Sequence, residues 1–198
     1  MGKGEETRER ILDTAGRLAA REGLDGLSLG KLADSLGVSK SGLFAHFSSK
    51  EELQLETLRA FSTRFIAQVL RPAFVRPRGL PRLRALFELW LAHTSDPALP
   101  GGCLFMAASI ELDDREGPVR EFLVRSMRDL LEMISRSARL AVEEGHLRKG
   151  LDCDQLAFEL YGILLSLNHA HRLLRDPKAD RRARDAFEAL VRSSLPRS

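Results

Sequence analysis

The stretch "GVSKSGLFAHFSSKEEL", residues 37–53, decides the fold of this chain. Gly37 precedes a run of small polar residues, two phenylalanines enclose Ala45 and His46, and Lys50 opens an acidic segment. A polar segment of about seven residues is too short to be a stable helix alone, because helix nucleation is costly. We therefore expect longer helices on both sides of this segment, with apolar side chains that pack against it and stabilise it.

The preceding sequence has the periodicity and end signals of two such helices. Apolar residues between Ile11 and Ala19 recur with the 3.6-residue period of a helix, and Gly23 can end it in a left-handed conformation. Ser28 predicts the N-cap of a second helix, which Gly37 ends. Both predicted helices are long enough to bury an apolar face.

The segment itself predicts a third, short helix. Ser39 is placed to cap it, after a tight turn through Gly37 and Val38. Ser49 and Glu52 then form a capping box at the start of a long helix. Two helices joined by a tight turn, the second short and polar on its outer face, are typical of a helix-turn-helix.

Helical periodicity continues to the end of the chain and period-2 alternation is almost absent, which predicts an all-α protein of about nine helices. The pattern divides near residue 50 into a three-helix N-terminal domain, 1–50, and a larger helical domain, 51–198. In the second domain, 51–70 is a connecting helix ended by Pro72, and the Pro- and Arg-rich stretch 71–82 predicts a linker or irregular turn. Later helices are predicted near 81–95, 102–113, 118–145, 152–175 and 179–193.

Composition places few limits on function. The chain has 198 residues, 43 % of them hydrophobic, with a formal net charge of +3 and a pI near 9.1, which permits a polyanionic partner without requiring one. Two cysteines fifty residues apart, a charged N-terminus and no apolar run near the ~20 residues of a membrane span predict a soluble cytoplasmic protein with reduced thiols. GxGxxG, Walker and HExxH motifs are absent, so we expect neither an enzyme nor a cofactor.

The short polar helix is suited to the major groove of DNA. Lysine can donate to guanine edges and serine can donate or accept at either base type, while small residues let the backbone approach closely. His46, Lys50 and the start of the helix after Ser49 are suited to phosphates. The predicted DNA-binding residues are Ser28, Ser39, Lys40, Ser41, Gly42, Phe44, His46 and Lys50.

Residues 7–53, "TRERILDTAGRLAAREGLDGLSLGKLADSLGVSKSGLFAHFSSKEEL", resemble the N-terminal domain of the TetR family of bacterial transcriptional regulators. The resemblance lies in the TRxxIL start, the stop at Gly23, the polar cap at Ser28, the Gly-Val-Ser turn and the aromatic-x-His-Phe motif before Lys50. "GGCLFMAASIELDDREGPVRE" and "LRKGLDCDQLAFELYGILL" in the C-terminal part resemble one branch of the same family.

Two positions depart from the family pattern. Most members have tyrosine where Phe44 stands, and phenylalanine keeps the packing but lacks a hydroxyl that often binds phosphate. Gly30 stands where some members place an arginine that reaches DNA. Both departures reduce the number of polar anchors, which leaves open a helix-turn-helix protein that serves only as a ligand-binding or interaction module.

The resemblance implies a homodimer that binds a palindromic operator. Its two DNA-binding domains would lie about 34–36 Å apart, the spacing of successive major grooves. A small, apolar effector would release the protein from DNA. The resemblance also implies repression of the regulated genes. Stripes on the last two helices are the expected dimer interface: Leu156, Leu160, Ile163, Leu164, Leu167, Ala183, Phe187 and Leu190. Alternatively, these stripes face only their own core. Residue types that line apolar pockets make up the expected effector site: Trp90, His93, Cys103, Phe105, Met106, Phe122 and Met127. Alternatively, most of these residues belong only to the apolar core.

Three other clusters have ordinary structural explanations. His169 and His171 point about 200° apart on a helix and cannot both reach one metal ion with Cys153, so we expect no metal site. The acidic residues from Glu111 to Glu116 could be a carboxylate pair for acid-base chemistry, but capping of the helix at Pro118 is favoured. The arginines between 71 and 84 could touch DNA flanks, but a solvated linker is favoured.

Overall fold

The computed structural model describes residues 3–96 and 102–196, and within these ranges it is built of helices without a strand. This confirms the all-α prediction. The helices are α1 (Lys3–Glu22), α2 (Leu29–Leu36), α3 (Lys40–Phe44), α4 (Lys50–Phe65), a π-helical turn (Ile66–Leu70), α5 (Arg71–Phe74), α6 (Leu80–Thr94), α7 (Leu104–Glu111), α8 (Pro118–Glu143), α9 (Cys153–Arg172) and α10 (Ala179–Ser194).

The predicted end signals are confirmed at the start of the chain. Gly23 and Gly37 have φ of +81° and +66°, the left-handed conformation that glycine adopts without steric cost. The Ser28 hydroxyl accepts from the Lys31 amide at 3.3 Å, and Ser39 accepts from the Gly42 amide at 3.2 Å. These caps fix where α2 and α3 begin.

Later helices also follow their sequence signals. Pro118 opens α8, where its missing N–H and fixed φ are tolerated. The Asp152 carboxylate accepts from the amides of Asp154 and Gln155 and caps α9. Gly145, with φ of +74°, follows the end of α8.

The prediction that Pro72 ends the connecting helix is wrong. The chain stays helical to Phe74, and only residues 75–79 of the expected 71–82 linker are non-helical. A proline inside a helix normally clashes with the carbonyl four residues earlier. Here a π-helical turn precedes it, in which the Arg71 amide donates to the Ile66 carbonyl, and this widened turn accommodates the ring.

The chain divides into two compact units. The first contains residues 1–64 and 97–125, of which 3–64 and 102–125 are described. Its core is formed by apolar side chains from α1, α2, α3 and α4 and the loops between them: Ala15, Ala19, Leu24, Leu27, Leu32, Leu43, Phe47, Leu53 and Leu58. The predicted boundary near residue 50 remains a prediction.

The second unit contains residues 65–96 and 126–198. Phe87 of α6 stacks on Phe187 of α10, with ring centroids 4.1 Å apart and planes 5° apart. On the same two helices, Arg84 donates to Glu188 at 3.0 Å and Arg184 to Glu88 at 3.0 Å. Apolar stacking therefore holds α6 against α10, and exposed ion pairs of this kind add little to it.

Candidate nucleic-acid interface

The short helix α3 is built as an outward-facing element. Leu43, from its inner side, and Phe47, just after it, are each about 1 % exposed, so they anchor it to the core of the first unit. Burial of two such side chains stabilises the helix by roughly 1.5–3 kcal/mol each. A five-residue helix is not stable alone, so α3 depends on this apolar packing against the core of the first unit.

The opposite side of α3 is open to solvent. Ser39, Lys40, Ser41 and Gly42 are exposed, and Phe44 is 49 % exposed. The Lys40 ammonium lies 6.0 Å from the centroid of the Phe44 ring, within cation–π range. This arrangement presents hydroxyl groups, an ammonium and an aromatic ring on one surface.

Ser39 and Ser41 are partly engaged with each other. Their hydroxyl oxygens are 3.1 Å apart, and that of Ser39 also accepts the Gly42 amide. Ser41 therefore has its remaining hydrogen-bonding capacity directed outward, whereas Ser39 serves mainly as a cap. Ser28, likewise a cap, is half-buried.

Lys50 lies at the start of α4, but its ammonium already has partners. It donates to the Asp25 carbonyl at 2.6 Å and to the Asp25 carboxylate at 3.0 Å. Hydrogen bonds from Lys50 and then from Arg115 hold the pKa of Asp25 below its usual value. A phosphate that binds Lys50 must compete with this ion pair.

The first turn of α4 is capped by its own side chains. The Glu52 amide donates to the Ser49 hydroxyl at 3.0 Å, as the predicted capping box requires. The Glu52 carboxylate accepts from the amide and the hydroxyl of Ser48, at 2.7 and 2.6 Å, and these bonds lower its pKa. The amide of Ser48 is therefore occupied by a side chain.

An apolar groove runs beside α3. It has a volume of about 270 Å³ and lies between residues 7–11 of α1 and the α2–α3 turn. Half-buried His46 lines it, so His46 faces this groove. Its lining residues are Thr7, Arg10, Ile11, Leu36, Val38, Gly42, Leu43 and His46.

The expected effector residues fall in both units. In the first, buried Phe105 lies 5.4 Å from Phe61 and 6.4 Å from Phe122 by ring centroids; Cys103 and Met106 are also buried there. Burial raises the pKa of the Cys103 thiol to about 11, which leaves no reactive thiolate at neutral pH.

In the second unit, Trp90 and His93 pack edge-on against Phe65, with centroids 5.1 and 5.4 Å apart. Tyr161, which sequence reasoning missed, lies 6.1 Å from Trp90. It lies seventy-one positions further along the chain, so no local pattern could have linked it to Trp90. Met127 is half-buried in the same unit.

Most of the expected dimer residues are buried within the single chain. Leu160 and Leu164 have no exposed area, and Leu156, Leu167, Ala183, Phe187 and Leu190 are each at most 9 % exposed. Ile163 is half-buried and lines, with Leu167, Ala183 and Leu190, a groove of about 700 Å³ between α9 and α10. Side chains without exposed area belong to the core of the chain.

The acidic run has a different role from the expected helix cap. Glu111 accepts from the Leu24 amide at 2.7 Å and from the Asp25 amide, in the loop between α1 and α2. Glu111 is the last residue of α7, and the loop 112–117 separates it from the start of α8. Its carboxylate is occupied by the two amides of the α1–α2 loop. The capping interpretation is therefore wrong for Glu111.

Two further clusters are accounted for. Over the described ranges, no three His, Cys, Asp or Glu side chains converge to hold a metal ion, and His171 lies 3.8 Å from Asp180. Arg84 belongs to α6 rather than to a linker, and the guanidinium of Arg82 lies 4.8 Å from the Phe74 ring centroid. No described helix is long and apolar enough to cross a membrane.

Two family models match this chain. One, described as "Bacterial regulatory proteins, tetR family", matches residues 11–57. The other, "Tetracyclin repressor-like, C-terminal domain", matches residues 79–187, more than half of the chain. The chain belongs to the TetR family of bacterial regulatory proteins. The resemblance seen in the sequence is thereby confirmed for both parts of the chain.

Individual TetR-family proteins show the same relationship. The HTH-type transcriptional regulator TcmR of Streptomyces glaucescens is 30 % identical over 151 residues, which span 75 % of this chain and 62 % of TcmR. A TetR transcriptional regulator from Chloroflexus aurantiacus is 26 % identical with a TM-score of 0.79, over 97 % of this chain and 96 % of that one. AibR, solved with isovaleryl coenzyme A and operator DNA, shares the fold with a TM-score of 0.74 at 23 % identity, over 96 % of this chain and 100 % of AibR.

Proposed function

We propose that this protein is a ligand-responsive transcriptional repressor that binds a palindromic operator as a homodimer and releases it when a small effector binds. The observation that carries the proposal is α3: a short helix anchored by Leu43 and Phe47, with Lys40, Ser41 and Phe44 exposed. These side-chain types read base edges in a major groove. A location in the bacterial cytoplasm, where operator DNA lies, is part of this proposal.

The DNA contacts divide into two kinds. Lys40 and Ser41 lie on the exposed side of α3 and are proposed to contact bases, with Gly42 allowing close approach of the backbone. Lys50, His46 and the α4 start are proposed to contact phosphates, while Ser28 and Ser39 act mainly by capping helices. Phe44 supplies an apolar surface suited to a thymine methyl group or a sugar.

Dimerisation is proposed to use the groove between α9 and α10. The groove is lined mostly by small and apolar residues, among them Gly162, Ile163, Ala170 and Ala186, which allow close packing of helices from a second copy. Phe158, 69 % exposed on α9, adds apolar area. Two copies joined there would form a four-helix interface.

The effector is proposed to be a mainly apolar molecule with at least one hydrogen-bond acceptor. The aromatic cluster around Trp90 in the second unit supplies apolar contact area, and the cluster around Phe105 in the first unit is a separate candidate site. Trp90 Nε1 is a buried donor with no acceptor in the described part of the chain, so an oxygen atom of the effector would satisfy it. AibR, with the same fold, accommodates an acyl coenzyme A together with operator DNA.

The first experiment selects bound fragments of the source genome with purified protein and then measures affinity over a salt series. Specific binding predicts enriched palindromic fragments, and phosphate contacts predict a steep fall of the binding constant with salt. Lys40→Ala is expected to relax base preference, whereas Lys50→Ala weakens binding to every sequence and flattens the salt slope by about one. A flat salt response of the unsubstituted protein would instead favour an interaction module without DNA binding.

A further inference from the structure

The loop between α1 and α2 is held by a side chain from far along the chain. Gly23 turns the backbone with φ of +81°, so that the next two amides, those of Leu24 and Asp25, face the Glu111 carboxylate. The Leu24 amide donates to Oε2 at 2.7 Å and the Asp25 amide donates to Oε1. We refer to Glu111 and these two amides as the Glu111 clasp.

The clasp joins complementary groups at close range. Consecutive amides after a left-handed residue form a concave site with positive potential, and a carboxylate is the charge that suits it. Charge-assisted hydrogen bonds of this kind are about twice as strong as neutral ones. A Cβ on Gly23 would lie only 3.1 Å from Glu111 Oε2, so the loop and the carboxylate are in close contact.

The same loop is bound from α4 and from the α7–α8 segment. Gln54 donates to the Leu24 carbonyl at 2.8 Å, and Lys50 donates to Asp25. Arg115 donates to the other Asp25 oxygen at 3.1 Å. The loop is therefore fixed to the start of α4 on one side and to Glu111 and Arg115 on the other.

These contacts link two parts of the sequence with different proposed roles. Leu24 and Asp25 lie in the proposed DNA-binding domain, in the loop before α2. Glu111 and Arg115 lie in the segment matched by the C-terminal family model. Lys50, a proposed phosphate ligand, reaches the loop through Asp25. Loss of the clasp would leave the loop held by α4 and by the single contact from Arg115 to Asp25.

We infer that Glu111 is a positioning residue for DNA binding: through the amides of Leu24 and Asp25 it fixes the helix-turn-helix relative to α7. This inference rests on the proposed function. Base contacts require α3 in one place, whereas phosphate contacts tolerate displacement, so loss of the clasp affects specific binding more than non-specific binding.

The test substitution is Glu111→Gln, which keeps the size of the side chain and its packing. A glutamine retains one acceptor oxygen and turns a donor toward the second amide, so at least one bond of the clasp is lost. Glu116→Gln is the matched control, because Glu116 is exposed in the loop that follows Glu111 and its substitution removes the same charge. Thermal unfolding establishes that both variants fold.

Two readouts separate the clasp from DNA binding. Amide hydrogen exchange at Leu24 and Asp25 is expected to become at least threefold faster in Glu111→Gln, with α9 and α10 unchanged. Affinity for a selected operator fragment is expected to fall three- to tenfold, with a smaller loss on random-sequence duplex and an unchanged salt slope. The control is expected to match the unsubstituted protein in both measurements.

Each outcome decides the inference. Unchanged exchange, unchanged or tighter operator binding, or equal losses on operator and random duplex would each overturn the positioning role. If the unsubstituted protein binds no DNA at any salt concentration, the proposed function fails. The exchange measurement then still reports whether Glu111 holds the loop.

Discussion

At the scale of single residues, Asp25 connects the loop after α1 to the proposed phosphate ligand Lys50. The Asp25 carboxylate is shared between Lys50 at 3.0 Å and Arg115 at 3.1 Å. All three side chains are about half exposed, so each pair is worth at most about 1 kcal/mol. Lys50 can therefore exchange Asp25 for a phosphate at low cost.

Asp25→Asn is expected to tighten binding to random-sequence duplex about two- to fivefold at low salt, because Lys50 no longer has to leave a carboxylate. The measurement is a double-mutant cycle with Lys50→Ala over a salt series. In the Lys50→Ala background, Asp25→Asn is expected to have almost no effect. Equal tightening in both backgrounds would mean that Asp25 repels DNA directly and does not act through Lys50.

His93 gives the protein a predicted pH dependence of stability. Burial lowers the pKa of His93 below its usual value near 6.5, an effect that Asp96 partly opposes. The unfolded chain therefore binds a proton at a higher pH than the folded one, and the stability present above about pH 6.5 is lost as the pH falls through the folded pKa. The loss is at most about 1.4 kcal/mol per pH unit for one proton.

The measurement is the free energy of unfolding in urea at pH 7.5 and 5.5. His93→Gln is expected to show a smaller loss between these values than the unsubstituted protein. His169→Gln, at an exposed position on α9, is the control and should retain the full dependence. An identical pH response of the His93 variant would show that other groups cause it.

At the scale of elements, the α2–α3 turn depends on one glycine. Gly37 has φ of +66°, and a Cβ added there would meet no atom within 4 Å, so an alanine would suffer backbone strain alone. Gly37→Ala is expected to lower the free energy of unfolding by about 1–2 kcal/mol. Urea unfolding measures this directly.

Gly16→Ala is the matched control for that experiment. Gly16 lies within α1, and a Cβ there would likewise meet nothing within 4 Å. Because alanine favours a helix interior over glycine, this substitution is expected to raise the free energy of unfolding by about 0.5–1 kcal/mol. Effects of the same sign at both glycines would contradict the conformational explanation.

The helix-turn-helix could be predicted because its signals are local. Ser28, Gly37 and Ser39 act on residues within four positions of themselves, and the predicted caps are present. The Pro72 rule failed because a widened turn upstream changed the geometry that the rule assumes. Glu111 could not be assigned, since its partner Leu24 lies 87 positions away and no periodicity relates the two.

At the scale of the whole molecule, sequence stripes could not separate core from interface. Leu160 and Leu164 share the α9 stripe with Ile163, yet only Ile163 keeps area that a second chain could cover. A helix that packs on one neighbour and offers its flank to another has an apolar surface on both sides. Which side faces outward depends on α10, and the packing of α10 is a long-range property.

The proposed homodimer can be tested in the groove between α9 and α10. Ala186 is exposed and lines it, so Ala186→Glu would bury an unpaired carboxylate in the dimer while leaving the fold of the single chain intact. Sedimentation equilibrium is expected to show the dissociation constant raised at least tenfold. Arg181→Gln is the control, because it changes the net charge by the same amount at an exposed position of α10 outside the groove. This variant should leave the dissociation constant unchanged.

The affinity for the operator should depend on dimerisation. Two heads on one dimer raise the effective concentration of the second head, so a monomeric variant is expected to lose most of its operator affinity although its α3 is unaltered. At protein concentrations that restore the Ala186→Glu dimer, operator binding should return. A variant that stays dimeric would place the interface on another face. A variant that binds the operator tightly as a monomer would show that paired heads are not required, because one copy of α3 would then supply the affinity alone.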